Sequence, residues 1–228
     1  MRKLIGILLL LMVAVGITLT IKEIPFGTPK TQIGQHFINE GVESTGAVNI
    51  VTSVVVGYRA FDTLGEVTVL FTAAIGLGAL FGLYRRKETE MKTEPASLIV
   101  NTGCRFLFPI ILLVGIYIFL HGHLTPGGGF QGGAIIASAF LLVYLGCRGK
   151  RITENVSKVV EGLGGLIFII MGIIGLTIGK DFLFNFMPKG ETGMLFSAGI
   201  IPIIYLAIGL KVGSELAGII DDLIEKSQ

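Results

Sequence analysis

The 228-residue sequence carries 15% charged residues against 52% hydrophobic ones, with a formal net charge of +2. A soluble domain carries closer to about a quarter charged residues, and the mean hydropathy here is +0.80. The apolar residues fall in long blocks instead of a one-sided helical stripe, so the solvent is lipid, and soluble enzymes and nucleic-acid binders are excluded.

The first block, Leu4–Ile21, follows Arg2 and Lys3. A signal peptide starts the same way, but this core is long for one. No small-x-small cleavage site follows at Thr18–Lys22, so the block reads as a retained span. Ala47–Tyr58 is next, at 12 residues. As a helix that is ~18 Å, too short for ~30 Å of hydrocarbon. Its Val, Ile and Thr suit a strand, but an open strand edge does not survive in lipid, so a half-helix is expected. Phe61–Tyr84 is a second span, closed by the polar stretch KETEMKT at 87–93, the natural seam of the chain. Beyond it lie Ser97–Leu120, Gly128–Cys147, Val156–Gly179 and Met194–Val212. Pro109 and Pro202 should kink their spans or free a carbonyl. The expectation is an all-α integral membrane bundle of about six transmembrane helices plus one short half-helix, in two units, 1–90 and 95–228. Cys104 and Cys147 sit in or beside apolar runs and imply no disulfide framework.

Basic residues set the orientation. With the N-terminus inside, the inner segments hold Arg2, Lys3, Arg85, Arg86, Lys87, Lys92, Arg148, Lys150, Arg151, Lys158 and Lys226. The outer segments hold Lys22, Lys30, Arg59, Lys180 and Lys189. Eleven against five places both termini in the cytoplasm and the protein in the cell membrane. No internal repeat of the kind that builds inverted-repeat transporters is visible.

The stretch HGHLTPGGGFQGG, 121–133, joins the third and fourth spans. A metal site would need ligands beyond His121 and His123. Cys104 is 17 residues earlier on the same helix, ~25 Å along the axis, and no ligand spacing is present, so no metal is expected. A phosphate loop would want a preceding strand and a following Lys, and has neither. What remains is a tight turn whose glycines run on into a helix: Gly129, Gly133 and Ala137 recur every four residues, a face that lets another backbone approach closely. Ala74, Gly78 and Gly82 repeat that spacing, as do Gly175 and Gly179.

Ionisable groups inside spans need a reason. Arg59, Asp62 and Glu66 share one face if helix runs through 58–61. They read equally as an outer ion entrance, holding a proton or sodium, and as a salt bridge capping the helix. Arg105 and Glu161, at similar depth on the inner side, invite pairing, although a long Arg can also snorkel to the surface. Lys211 and Glu215, spaced by four, read as a local surface pair. There is no nucleophile–base pair and no cofactor fingerprint, so no catalysis is expected of this chain.

Two stretches resemble a known family. RAFDTLGEVTVLFTAAIGLGAL, Arg59 to Leu80, is similar to the element near the C-terminal end of the A subunit of Mrp-type sodium/proton antiporters, an element that forms a small separate subunit in membrane-bound hydrogenases. RFLFPIILLVGIYIFLHGHLTPGGGFQGGAIIASAFLLVYL, Arg105 to Leu145, resembles the antiporter B subunit. By position, Asp62 and Glu66 match the family's acidic pair, with Arg59 before it. His121, Gly122, His123, Pro126, Gly127, Gly128, Gly129, Phe130, Gln131, Gly132 and Gly133 match the B-subunit signature. The resemblance implies a non-catalytic subunit of a cation-translocating module, with Asp62, Glu66, Arg59, Glu161 and Arg105 as ion-path candidates. Its implied partners are other antiporter-type membrane subunits, lipid and the ions Na+ and H+, with no nucleic acid. No large antiporter domain stands in front of the B-like unit. That arrangement resembles the redox-driven relatives, archaeal sulfane-sulfur reductase or hydrogenase complexes, which implies a peripheral redox arm with iron–sulfur clusters in partner subunits and no cofactor in this chain. A stand-alone Mrp antiporter subunit and a purely structural spacer are the alternatives.

Overall fold

The computed structural model describes residues 2–23, 32–83, 96–146 and 154–227. Their regular structure is helical: α1 (Arg2–Glu23), α2 (Gln32–Thr45), α3 (Ile50–Thr52), α4 (Ala60–Leu83), α5 (Leu98–Leu120), α6 (Gly129–Gly146), α7 (Glu154–Gly179) and α8 (Ile201–Ser227). The six helices α1 and α4–α8 are long and apolar enough to cross a membrane. The chain is a multi-pass membrane protein of the all-α class expected. The seam at 87–93, Cys147, and the basic residues Lys30, Arg85, Arg86, Lys87, Lys92, Arg148, Lys150 and Arg151 lie outside the described residues.

Residues 1–35 and 36–228 form two compact units. In the first, the apolar side chains of α1 are exposed on every face, Leu10 at 71%. A helix hydrophobic all round is one made for lipid or for neighbouring chains. In the second, α8 is the hub: it packs on α4, α5, α6 and α7, and α5 also packs on α6. More than half of its span, 56%, is buried. Ile201, Ile204, Ile208 and Val212 run along it at helical spacing and meet Phe168 of α7 in the core.

The expected half-helix is present in a sharper form. Asn49 begins α3 as a cap, its Oδ1 accepting from Val51 N at 3.1 Å, which satisfies a donor that the first helical turn leaves open. The chain then widens into a π-helical turn, Ser53–Tyr58, closed by Arg59 N donating to Val54 O at 2.7 Å. Thr63 donates to the Val55 carbonyl at 2.6 Å, binding this turn to α4.

One expected span is displaced. Met194–Val212 is not a single helix: residues 180–200 are irregular, and α8 starts at Ile201 and continues to Ser227. Ala198 and Gly199 adopt left-handed conformations at φ 65° and 59°, which a helix cannot propagate through. Pro202 consequently falls in the first turn of α8, where its missing N–H costs nothing, so the expected kink does not arise. Asn185 holds the irregular segment: its Nδ2 donates to Ala198 O and Thr45 O, and its Oδ1 accepts from Ile200 N.

Candidate ion-path site

The turn 121–128 and the helix it leads into are packed backbone to backbone. A Cβ at Gly132 would lie 2.7 Å from Gly115 O on α5; one at Gly133 would lie 3.0 Å from both Gly209 O and Gly213 N on α8. Real Cβ atoms do not approach so closely, so α6 has its place only because these positions lack side chains. Gly129 meets Ile208 and the Tyr205 carbonyl, and Ala137 is 2% exposed. Gly129 and Gly133, two of the three residues at that spacing, therefore meet α8, and the third, Ala137, is buried. The other stripes behave differently. Gly78 on α4 has no neighbour within 4 Å, and Gly175 and Gly179 make room for Leu183 and Phe184 of the irregular segment instead of another helix.

The half-helix is pinned to this turn. Asn49 Nδ2 donates to Gly122 O at 2.9 Å and Thr125 O at 3.0 Å, and its backbone N donates to His123 O at 3.1 Å. Thr52 Oγ1 also donates to Gly122 O, at 2.6 Å, and itself accepts from the Tyr205 hydroxyl of α8 at 2.8 Å. Three elements, the half-helix, the turn and α8, thus share one hydrogen-bonded node. His121 stacks on Tyr117, ring centroids 4.1 Å apart, and its Nδ1 lies 3.0 Å from Tyr117 O. His123 is fully buried, and neither ring nitrogen has a hydrogen-bond partner. Burial holds its basicity below the ordinary histidine range; the nearby backbone of Met194 and Leu195 opposes this without reaching hydrogen-bond geometry. Pro126 and Gln131 are exposed, and Gly128 is buried. Among the described residues no three His, Cys, Asp or Glu side chains come together as a metal site.

The acidic pair of α4 is placed at the surface of the chain. Arg59 and Asp62 form an ion pair, and Asp62 N donates to Arg59 O at 2.9 Å, so this pair closes the helix start. Glu66, one turn on, is exposed.

The second ionisable cluster differs from the sequence expectation. Arg105 is exposed, and Glu161 lies not beside it but 3.8 Å from Lys211 Nζ. Lys211 and Glu215 are no surface pair. Their side chains are 7% and 1% exposed, and Nζ donates to Glu215 Oε2 at 2.7 Å. The ammonium also sits 5.0 Å from the centre of the Phe71 ring of α4, within cation–π range. Gly164 makes the cluster possible: a Cβ there would come 2.6 Å from Ala207 O and 3.0 Å from Lys211 N, so its absence lets α7 touch the α8 backbone. A signal was available in the sequence. Lys211 and Glu215 continue, four residues at a time, the ridge that starts with Ala207, and so belong to the buried stripe of α8. A cavity of about 470 Å³ opens beside Glu161 and Glu215. Two carboxylates sharing one ammonium amid apolar helices can exchange protons or accept a cation; nothing in their geometry resembles a nucleophile with its base.

Residues 99–218 match the family described as a domain related to the MnhB subunit of Na+/H+ antiporters, and residues 1–96 match the MbhE family of MBH subunits. An uncharacterised protein of Methanocaldococcus jannaschii is 37% identical over 196 residues, 75% of this chain and 74% of that one. A putative antiporter subunit mnhB2 of Staphylococcus aureus is 34% identical over 131 residues, covering 49% of this chain and 93% of the relative. Among solved structures, a chain of the membrane-bound sulfane sulfur reductase, an archaeal respiratory membrane complex, superposes with a TM-score of 0.80 at 47% identity, over 97% of both chains.

Proposed function

The chain belongs to the family of domains related to the MnhB subunit of Na+/H+ antiporters, and on that basis we propose that it is a non-catalytic subunit of an Mrp-type module inside a redox-driven respiratory complex. Stretch 1–90 acts as the A-subunit-tail-like unit and 95–228 as the B-like unit. Together they contribute to a sodium/proton path and to assembly, in the cell membrane with both termini cytoplasmic. The partners are antiporter-type membrane subunits and a peripheral redox arm whose iron–sulfur clusters lie outside this chain. The observation that carries this reading is the likeness along the whole chain to a subunit of the sulfane sulfur reductase.

The exposure pattern supports it. A carboxylate on the outside of a membrane helix costs about 2.5–3.5 kcal/mol at mid-membrane unless a partner or water covers it. Glu66 is such a group, and a neighbouring subunit that covers it completes an ion path. Mass spectrometry of what co-purifies from gently solubilised native membranes tests the reading. Iron–sulfur subunits found together with antiporter subunits are the expected result. Antiporter subunits alone make it a component of a stand-alone antiporter. In the reconstituted complex, Glu66→Gln should reduce sodium-coupled transport with assembly intact; wild-type transport removes Glu66 from the path.

A further inference from the structure

Away from the exposed acidic pair of α4, Lys211 and Glu215 form an ionisable pair buried among membrane helices, and it is incompletely satisfied. Glu215 Oε2 takes the Lys211 ammonium, but Glu215 Oε1 is buried with no hydrogen-bond partner. A bare anionic oxygen in a low-dielectric site is costly, and it is relieved by a proton of its own or by a cation. Glu161 adds a second carboxylate to the same ammonium, so the fully ionised triad carries one excess negative charge. Glu161 and Glu215 both line the cavity, which at about 470 Å³ has room for a cation with part of its water shell. Its other titratable neighbours are Lys158 on α7, Asp221 and Asp222 on α8, and Tyr144 on α6, while α4 contributes Phe71, Ala74, Ile75 and Gly78 and no charge. Acidic groups thus outnumber basic ones in the wall, and their hard carboxylate oxygens suit a hard cation.

We propose that the Glu161–Lys211–Glu215 triad is a proton/alkali-cation exchange site, in which a proton resting on Glu215 leaves to cavity water as a cation enters from the cavity. The exchange balances: a carboxylic acid and Na+ become a sodium carboxylate and H+. Lys211 is held in place by Glu215 Oε2 and Phe71. It keeps the site from binding a divalent ion tightly and lets a single charge come and go. This deepens the reading of the chain as part of an ion path, and gives it a second station on α7 and α8, separate from Glu66 on α4.

The test is infrared difference spectroscopy on the full-length chain in lipid nanodiscs, comparing sodium chloride with choline chloride at fixed pH. Sodium should remove a protonated-carboxyl band that choline leaves in place. Labelling with 13C-glutamate should shift the band, Glu215→Gln should abolish it, and Glu66→Gln should retain it. Should Glu215→Gln not fold, Glu161→Gln decides, because Glu161 is the more exposed partner at 25%. Losing one carboxylate should raise the sodium concentration of half effect about tenfold. A band indifferent to sodium, or unaltered in Glu215→Gln, or an unchanged half-effect concentration in Glu161→Gln, overturns the site. The readout needs no partner subunit, so it stands or falls apart from the co-purification result that tests the wider reading.

Discussion

One helix, α8, takes part in two contrasting constructions. Near its start, Tyr205 joins the node of Asn49, Thr52 and Gly122, where neutral groups close their hydrogen bonds on one another and glycines bring three helices into contact. Two to three turns further on, Lys211 and Glu215 are buried as an ionisable pair, with one oxygen unsatisfied and a cavity at its side. The first region commits its polar groups to a fixed shape. The second keeps a polar group in reserve. The histidine- and glycine-rich signature leaves His123 unsatisfied as well, but the Lys211–Glu215 pair combines its open oxygen with a second carboxylate and a cavity, which makes the plainer helix behind the signature the candidate site.

That contrast can be broken at its strongest point first. Gly133→Leu drives a side chain into the Gly209 and Gly213 backbone, and overpacking against backbone costs about 3 kcal/mol or more. Loss of the folded chain in detergent, followed by size-exclusion chromatography, is expected; a stable variant would show that α6 can move away from α8. Lys211→Met strands two carboxylates and should cost about 3–5 kcal/mol in thermal unfolding. The double variant Lys211→Met, Glu215→Met should recover most of that, since paired charges are replaced by apolar groups of similar size. A double variant as unstable as the single would mean that the pair is itself a stabilising element and not a retained functional one. Asn49→Ala removes a helix cap and the donors to Gly122 and Thr125, for an expected cost of about 2 kcal/mol.

The smallest effect is one of pH. His123 has its basicity lowered by burial from the ordinary 6.5, so the unfolded chain binds the proton more readily than the folded one. Stability should therefore rise with pH from the folded-state value up to about 6.5, with a slope of at most ~1.4 kcal/mol per pH unit. His123→Gln should flatten that part of the profile, and a profile unchanged by the substitution would show that His123 does not titrate there.

The spans, the half-helix and the close-packing face of α6 were legible in the sequence because each rests on local terms. Those terms are hydropathy over a bilayer length, a stretch too short to span, and small residues spaced by four. The start of α8 was not legible. No charge interrupts residues 194–200, and the left-handed backbone at Ala198 and Gly199 ends the irregular segment. The amphipathic helix α2 was likewise unread, since its 14 residues mix glycine and charge without a span-like run. Glu161 was paired with Arg105 by depth alone, and depth does not say which helices are neighbours.

That this chain lives in lipid, how many times it can cross and which family it resembles are written in local patterns, because transfer free energy and motif spacing are properties of neighbouring residues. Which ionisable groups are buried depends on how the helices pack. Gly164 and Phe71 come from two other helices, α7 and α4, and the low dielectric around Lys211 and Glu215 exists only once those helices have closed around them.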